Sequence, residues 1–355
     1  TLSSLFLLTG AATITPDWSA GYVIHVETNS TDPTDTNQNN DDAGFGVQLL
    51  QSYWFLKSNT LGKVSVGMQS HASDNTAILV DGSGSLVPAN WVHFDGLSFN
   101  TLSGGAGAGT AWAGLAYCKS ISAGFAGDCN GYPNNAIRYD SPTFAGFSVS
   151  ASWGEDDFWD VAARYAGEFN GIKIAAAAAY HQTSEEKVLL GQLGLGPDAA
   201  ITHRDSAYFQ AGLYIQHVPT GLFVYGAYGI EDDNTTYVNP LVQANMTDGE
   251  TWYVKAGIRQ KWTPLGHTVL YGEYSINDDH FSPTLAAAGV TGSEFRQWGL
   301  GVVQEIDAAA MSVWLSYRNL DGEFNGVAGL PVAAIPFETN LDELHIVKFG
   351  ALINF

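Results

Sequence analysis

The sequence predicts an all-β fold: one antiparallel β-barrel that crosses a membrane and takes in the whole of residues 1–355. Three observations carry that reading. Apolar side chains recur at every second position in segment after segment, as a strand with two different faces requires. The interruptions between segments alternate in length, tight turn then long polar loop, so the two ends of the strands face different surroundings. Although 45% of the residues are hydrophobic, no stretch approaches the roughly 18–20 uninterrupted apolar residues of a membrane helix.

Fifteen segments alternate: 2–14, 17–29, 44–57, 61–70, 135–141, 145–154, 157–168, 171–182, 205–217, 221–231, 249–262, 266–277, 292–305, 308–320 and 342–355. The first, within "TLSSLFLLTGAATITPDWS", has an apolar run but no basic region ahead of it, and "ATITPDWSAGYVIHVE" continues it as alternating strand. The remnant of a signal peptide is the other reading. In "FSVSASW", Phe147, Val149, Ala151 and Trp153 share one side, and Ser148, Ser150 and Ser152 the other. In "WDVAARYA", Trp159, Val161, Ala163 and Tyr165 oppose Asp160, Ala162 and Arg164. The run "KIAAAAAY" (173–180) is rich in helix-favouring Ala, yet its flanks keep the alternation. "TWYVKAGIRQK" sets Trp252, Val254, Ala256 and Ile258 against Tyr253, Lys255, Gly257, Arg259 and Lys261. "MSVWLSYR" sets Met311, Val313, Leu315 and Tyr317 against Ser312, Trp314, Ser316 and Arg318. The terminal "FGALINF" puts Phe349, Ala351, Ile353 and Phe355 on one face.

One side of each segment suits hydrocarbon and the other water. A cation on the lipid side at mid-depth costs about 2–4 kcal/mol, which penalises a slipped register. Backbone groups cannot stay open in lipid, so the sheet must close on itself. The short turns are "TPD" (15–17), "SNT" (58–60), "SPT" (141–143), "FNG" (169–171), "PTG" (219–221), "TPLG" (263–266) and "IDAA" (306–309). The long interruptions are 30–43, 71–134, 183–204, 232–248, 278–291 and 321–341, with 155–156 the one short exception.

Composition narrows the partners. A formal charge of −22, with only 14 Lys and Arg, argues against nucleic acid, whose phosphates want a basic face. Cys118 and Cys129 lie close together in a Gly-rich region. In an oxidising compartment they would close a small ring worth about 3 kcal/mol in the chain-entropy model; two free thiols, or metal ligands without partners, are the other reading.

Several blocks, taken in order, resemble the trimeric Gram-negative general porins. They are "LQSYWFLKSNTLGKVSVGMQSHASDN" (50–75), "NNAIRYDSPTFAGFSVSASWGE" (134–155), "WDVAARYAGEFNGIKIAAAAAY" (159–180) and the terminal aromatic. The resemblance covers nearly the whole chain. It implies a 16-stranded barrel, a homotrimer in the bacterial outer membrane, and a third external loop, by position 71–134, folded into the lumen to constrict the pore. Two departures stand out. Fifteen strands are readable where such barrels have an even number, so the family's pattern would place a further strand before Thr1. The family also often carries an Arg in the "VGxQ" segment, where this chain has Met68.

The function this implies is a water-filled channel for passive diffusion of small hydrophilic solutes and ions. A substrate-selective channel for sugars or small anions, with Tyr253, Tyr271 and Trp314 as a stacking track, is the alternative. Arg138, Arg164, Lys173, Lys255, Arg259, Lys261, Arg318 and Lys348 fall on the lumen-facing parity, while Asp74, Asp81 and Asp95 lie in the long loop with His71 and His93. A basic wall across a narrow gap from an acidic loop would orient polar solutes. Asp74, Asp81, Asp95, Arg138 and Lys348 are the constriction candidates, with Arg164, Lys173, Lys255, Arg259 and Arg318 on the pore wall. The run "SGGAGAGT" (103–110) suits close packing of the loop on the wall; without a following Lys-Ser/Thr it is no phosphate loop.

The external loops are acidic: "NSTDPTDTNQNNDD" (29–42), "GEDDFWD" (154–160), "GIEDDN" (229–234) and "INDDH" (276–280). Asp41, Asp42, Asp156, Asp157, Asp232 and Asp233 offer the hard oxygen ligands that suit Ca²⁺, which could bridge to lipopolysaccharide phosphates; a solvated acidic rim is the blander reading. No cofactor is required. An outer-membrane hydrolase would need nucleophile, base and orienting group converging at one place, and no Ser/His pair stands out. A soluble β-rich binding protein is the remaining class.

Overall fold

The structure, a computed structural model, describes residues 4–29, 37–39, 46–91, 96–116, 133–155, 157–185, 188–189, 200–234, 236–239, 242–245, 247–328 and 335–354. Strands β1 (Ser4–Thr13), β2 (Trp18–Asn29), β3 (Gly46–Ser58) and β4 (Gly62–Gln69) precede the long loop, which holds β5 (Asn100–Ser103) and β6 (Ala106–Ala111). Next come β7 (Asn134–Asp140), β8 (Phe147–Gly154), β9 (Trp159–Phe169), β10 (Ile172–Glu185), β11 (Val188–Leu189), β12 (Ala200–His217) and β13 (Leu222–Asp233). Then follow β14 (Thr236–Asn239), β15 (Val242–Asn245), β16 (Gly249–Thr263), β17 (Gly266–Asp278) and the helix α1 (Pro283–Ala287). The chain ends with β18 (Val290–Ile306), β19 (Met311–Ala328), β20 (Ile335–Asn340) and β21 (Leu344–Ile353).

Nineteen strands make one antiparallel sheet. Fifteen of them form the meander and coincide with the fifteen alternating segments; the short β11, β14, β15 and β20 prolong the sheet at its outer rim. Each meander strand pairs with the next by hairpin register, from β1 with β2 to β19 with β21. With an odd number in the meander, β1 and β21 run in the same direction, so they cannot pair antiparallel with each other.

Register fixes the faces, because directly paired residues of an antiparallel sheet point the same way. Tyr22, Trp54, Val66, Ile137, Trp153 and Trp159 succeed one another across β2, β3, β4, β7, β8 and β9 on the outer row. Trp153, Val254 and Leu315 are 61%, 47% and 52% exposed, whereas Ser152, Lys255 and Ser316 beside them are buried. The oily row is outside. Where the strands leave the hydrocarbon, the outer row turns aromatic: Trp159 meets Tyr180, Tyr228 meets Trp252 and Trp298 meets Tyr317, with ring centroids 5.5, 4.4 and 5.2 Å apart. Such amphipathic rings form the girdle of a membrane barrel at the headgroup level.

Several expectations need correction. The polar stretches 183–204, 232–248 and 321–341 are in part strand, not loop: β10, β12 and β19 run on into them and β11, β14, β15 and β20 pair there. β11, β14, β15 and β20 are two to six residues long, too short for an alternation to register, and the rim ends of β10, β12 and β19 are mixed in sequence. The hairpin between β7 and β8 turns at Ala145 and Gly146, both at positive φ, bridged by Phe144 and Phe147, past the "SPT" at 141–143. Alternation assigned no face to β1, whose two rows are both apolar; the register puts Leu5 and Leu7 inward, opposite Glu27 and His25, and Phe6 and Leu8 outward. The Ala run is wholly strand, β10. Its inner-row Ala177 and Ala179 are buried.

The run 103–110 does not press its glycines on the wall: a Cβ on Gly104, Gly105, Gly107 or Gly109 would meet nothing within 4 Å, while Ala108 packs against an apolar cluster. The run forms the β5–β6 hairpin, turned at Gly104 and Gly105 (φ 60° and 79°), whose backbone N–H groups donate to the Asp342 carboxylate at 3.0 and 2.7 Å. Below that hairpin, Leu97, Trp112, Leu115 and Ala116 of the loop pack with Phe281, Leu285, Val290, Phe295, Leu320 and Phe324 in one apolar cluster. Trp112 is its largest member and is 1% exposed. Trp112→Ala is expected to cost about 3–5 kcal/mol, the usual loss for a buried Trp, read as a lower midpoint in heat or urea unfolding.

Candidate functional site

The described part of the long loop is seated on the inner wall, and it steps round the barrel one strand after another. At its root, Arg138 of β7 donates to the Ser70 and His71 carbonyls at 2.8 and 3.0 Å, and to Asp140 through Nε and Nη2 at 2.9 and 2.8 Å. Arg164 of β9 donates to the Ala72 carbonyl at 2.6 Å, to Thr76 Oγ1 at 2.9 Å and to Ser150 of β8 at 2.9 Å. Asp160, two inner-row positions further out on β9, is buried and accepts from Ser73 N–H, Ser73 Oγ and His71 Nδ1, each at 2.7 Å.

The next step is made at backbone contact. Ala77 N–H donates to Gln210 Oε1 of β12 and its carbonyl accepts from Tyr225 of β13, both at 2.8 Å. Gly212 lies directly beneath: a Cβ there would stand 2.2 Å from the Ala77 oxygen. A mid-strand glycine of this kind marks a close approach of another backbone. Gly212→Val is therefore expected to lift the loop from the wall with the barrel intact. The check is single-channel current noise beside unheated electrophoresis, and a quiet channel with native mobility would contradict it.

Asp81 then forms an ion pair with Lys255 of β16, both side chains fully enclosed. The Lys255 ammonium also lies over the Tyr225 and Tyr271 rings, 5.5 and 5.6 Å from their centroids. Gly84, at φ +83°, passes over the Arg259–Glu305 pair, whose two hydrogen bonds are 2.9 and 2.7 Å. Arg318 of β19 donates to the Ala89 carbonyl at 2.7 Å and to Glu273 Oε1 at 2.9 and 3.2 Å. Gly96 crosses Ile346 of β21, one inner-row position from Lys348.

The charges of loop and wall thus meet in contact, and several wall cations answer carboxylates of the wall itself. Asp81 touches Lys255. Asp74 is buried too, bonded by Ser70 and by Asn75 Nδ2 at 2.8 Å; burial raises its pKa against the opposing pull of His71 and Arg138. Arg164, Lys255, Arg259 and Arg318 all touch the loop or the pairs beneath it. Arg138 and Lys348 are half-buried on the inner row, and Lys173 is exposed near the turn end of β10. Met68 falls on the outer row, opposite Ser52 and Asn135, so an Arg at this position would not join the inner wall. Tyr253 and Tyr271 are 3% and 5% exposed under the loop, so they form no stacking track for solutes.

Asp95 and His93, the pair Cys118 and Cys129, and Asp41, Asp42 and Asp156 lie outside the described residues. Asp157 is exposed, and Asp232 and Asp233, as neighbours in β13, point to opposite faces, one exposed and one buried. Among the described residues, the His, Asp and Glu side chains close enough to share one ion are His71, Asp160 and His181. Sequence reasoning missed Asp160, His181, Gln210, Gly212, Tyr225 and Glu273 as loop anchors. The readable hint was polar or glycine residues on inner-row positions of long strands.

A barrel with an oily exterior, an aromatic girdle and a long loop seated on its inner wall defines an outer-membrane channel. The chain belongs to the Gram-negative porin family, which it matches over residues 3–325. It resides in the bacterial outer membrane and forms a channel for small hydrophilic solutes. A search of the curated proteins by sequence gives no match. Among solved structures, the chain is similar to the anion-selective porin from Comamonas acidovorans (14% identity, TM-score 0.55, covering 98% of this chain and 88% of that one). It is also similar to OmpF of Salmonella typhi in complex with daunomycin (14%, TM-score 0.52, 99% and 91%). A third is OmpT of Vibrio cholerae (13%, TM-score 0.51, 98% and 88%). At such identities the likeness is one of fold.

Proposed function

We propose that the channel is a passive diffusion pore narrowed by its own loop 71–134, with no dedicated solute site. The observation that carries this is the strand-by-strand seating of the described part of the loop on the inner row, from Arg138 to Ile346, which supports a bore narrowed from within. In this reading Asp81 shapes the constriction by holding the loop to Lys255, Asp74 by bracing the loop's root on itself and Arg138 by tying that root to β7; Lys348 and Asp95 are the further constriction residues, and Lys173 lines the vestibule. Enzymatic chemistry has no part in it. Liposome swelling with sugars of graded size is the test. Uptake should fall smoothly with solute size, and a single sugar entering far faster than smaller ones would overturn the reading.

The assembly we propose is a homotrimer. Support comes from the trimer form of Vibrio cholerae OmpT, a fold relative at TM-score 0.50 and 13% identity. The acidic external loops would take up structural Ca²⁺ and meet lipopolysaccharide phosphates through it, a role suited to carboxylate oxygens. A chelator is then expected to lower the temperature at which the trimer dissociates on unheated gels. A single monomer band throughout would count against the trimer, and an unmoved temperature against the calcium.

A further inference from the structure

The root of the loop carries a donor set unlike the ion pairs further along. His71 from the loop, Asp160 from β9 and His181 from β10 are each fully buried, and one ligand atom of each lies within 4.8 Å of the others. We propose that these three side chains bind a divalent transition-metal ion, Zn²⁺ being the best match, which fastens the loop root to two adjacent wall strands.

Donor chemistry selects the ion. Two imidazoles and one carboxylate suit zinc and its first-row neighbours, whereas calcium and magnesium take oxygen. Geometry is close to what a tetrahedral site asks. Zinc bonds of about 2.0–2.1 Å to N and O set neighbouring donors roughly 3.3 Å apart. Asp160 Oδ2 stands 2.7 Å from His71 Nδ1 and 4.0 Å from His181 Nδ1, so the two separations bracket that distance. Side-chain shifts well under about 1 Å bring both to it.

The surroundings support such a site. Ser152 donates through N–H and Oγ to Asp160 Oδ1, which fixes the carboxylate with Oδ2 turned toward the two rings. Hydrogen bonds of this kind orient a ligand and tune its basicity. Ser73 Oγ, 3.2 Å from His71 Nδ1 and 2.7 Å from Asp160 Oδ2, is the group nearest a fourth position. The Phe158 ring packs on both imidazoles, 5.3 and 5.4 Å between centroids, and keeps water away. Asp160 and His181 are direct cross-strand partners, so the wall presents two donors at a fixed spacing. His71 completes the set only when the loop root is seated. Metal binding and loop seating are therefore coupled, independently of which solutes pass.

The experiment uses the full chain, folded in detergent, stripped with a chelator and titrated with Co²⁺, then with Zn²⁺. About one equivalent of Co²⁺ per chain is expected, with the visible bands of a four- or five-coordinate ion that Zn²⁺ then displaces. His181→Gln should weaken that binding by more than about tenfold, and in bilayers Zn²⁺ should quiet current fluctuations of the natural chain but not of the variant. The titration of the natural chain stands even where a variant fails to fold. Absence of a stoichiometric band, or binding unchanged in His181→Gln, would overturn the proposal and leave Asp160 as a hydrogen-bonded hub alone.

Discussion

Asp81→Ala is expected to cost about 3–5 kcal/mol and to turn a steady channel into a flickering one. Lys255 is fully enclosed beneath the loop, and removing the partner of a buried pair leaves an uncompensated charge, which is where a penalty of that size arises. The two tyrosine rings under the ammonium offset part of it, since a desolvated cation over aromatic faces gains about 2 kcal/mol. The second pair, Arg318–Glu273, holds Ala89 and stays in place, so the barrel keeps its shape while the stretch between Ala77 and Ala89 loses its middle fastening. Replacing both partners by apolar groups of similar volume, Asp81→Leu with Lys255→Met, removes the charge problem together with the pair. It should recover most of the loss, as buried pairs exchanged for well-packed hydrophobes commonly do. A double-mutant cycle in urea unfolding isolates the coupling. If Asp81→Ala melts like the natural chain, the pair is exposed to water and the loop is not seated as described.

How much of this was legible depended on whether a residue met one environment or two. The meander strands could be read because each crosses hydrocarbon with an oily row outside and a wet row inside, as "FSVSASW" and "MSVWLSYR" do. In runs as short as β14, β15 and β20, of four to six residues, or where both rows are apolar, as in β1, the alternation carries no information. The extent of strand at the rim and the direction of Leu5 and Leu7 were accordingly hidden. The loop's seating was hidden for a different reason. Nothing periodic in 70–97 states which wall residue each position will meet. Gly212 under Ala77, or His71 beside the cross-strand pair Asp160 and His181, follows from registers between segments far apart in sequence. Charge gave a partial guide: Lys and Arg on inner-row parity could be named, but not that most would be spent holding the loop or neighbouring carboxylates.

Moving Lys348 by a single position puts the two-faced wall itself to the test. In β21 Lys348 lies on the inner row opposite Ser316, and Phe349 beside it lies on the outer row opposite Leu315, 87% exposed. The variant Lys348→Ala with Phe349→Lys keeps one cation in the strand but turns it toward the acyl chains. Its control, Lys348→Ala with Phe349→Leu, keeps the outer row oily. The two differ by one side chain on the outer row, and a lysine facing lipid at mid-depth costs about 2–4 kcal/mol. The first variant is expected to fold poorly into vesicles and to melt well below the second. Both lose the inner cation, so the control should fold near the natural yield while its reversal potential in a salt gradient shifts toward cations. Equal folding of the two would place Phe349 in the same surroundings as Lys348, and a wall with an oily side and a wet side would no longer describe this chain.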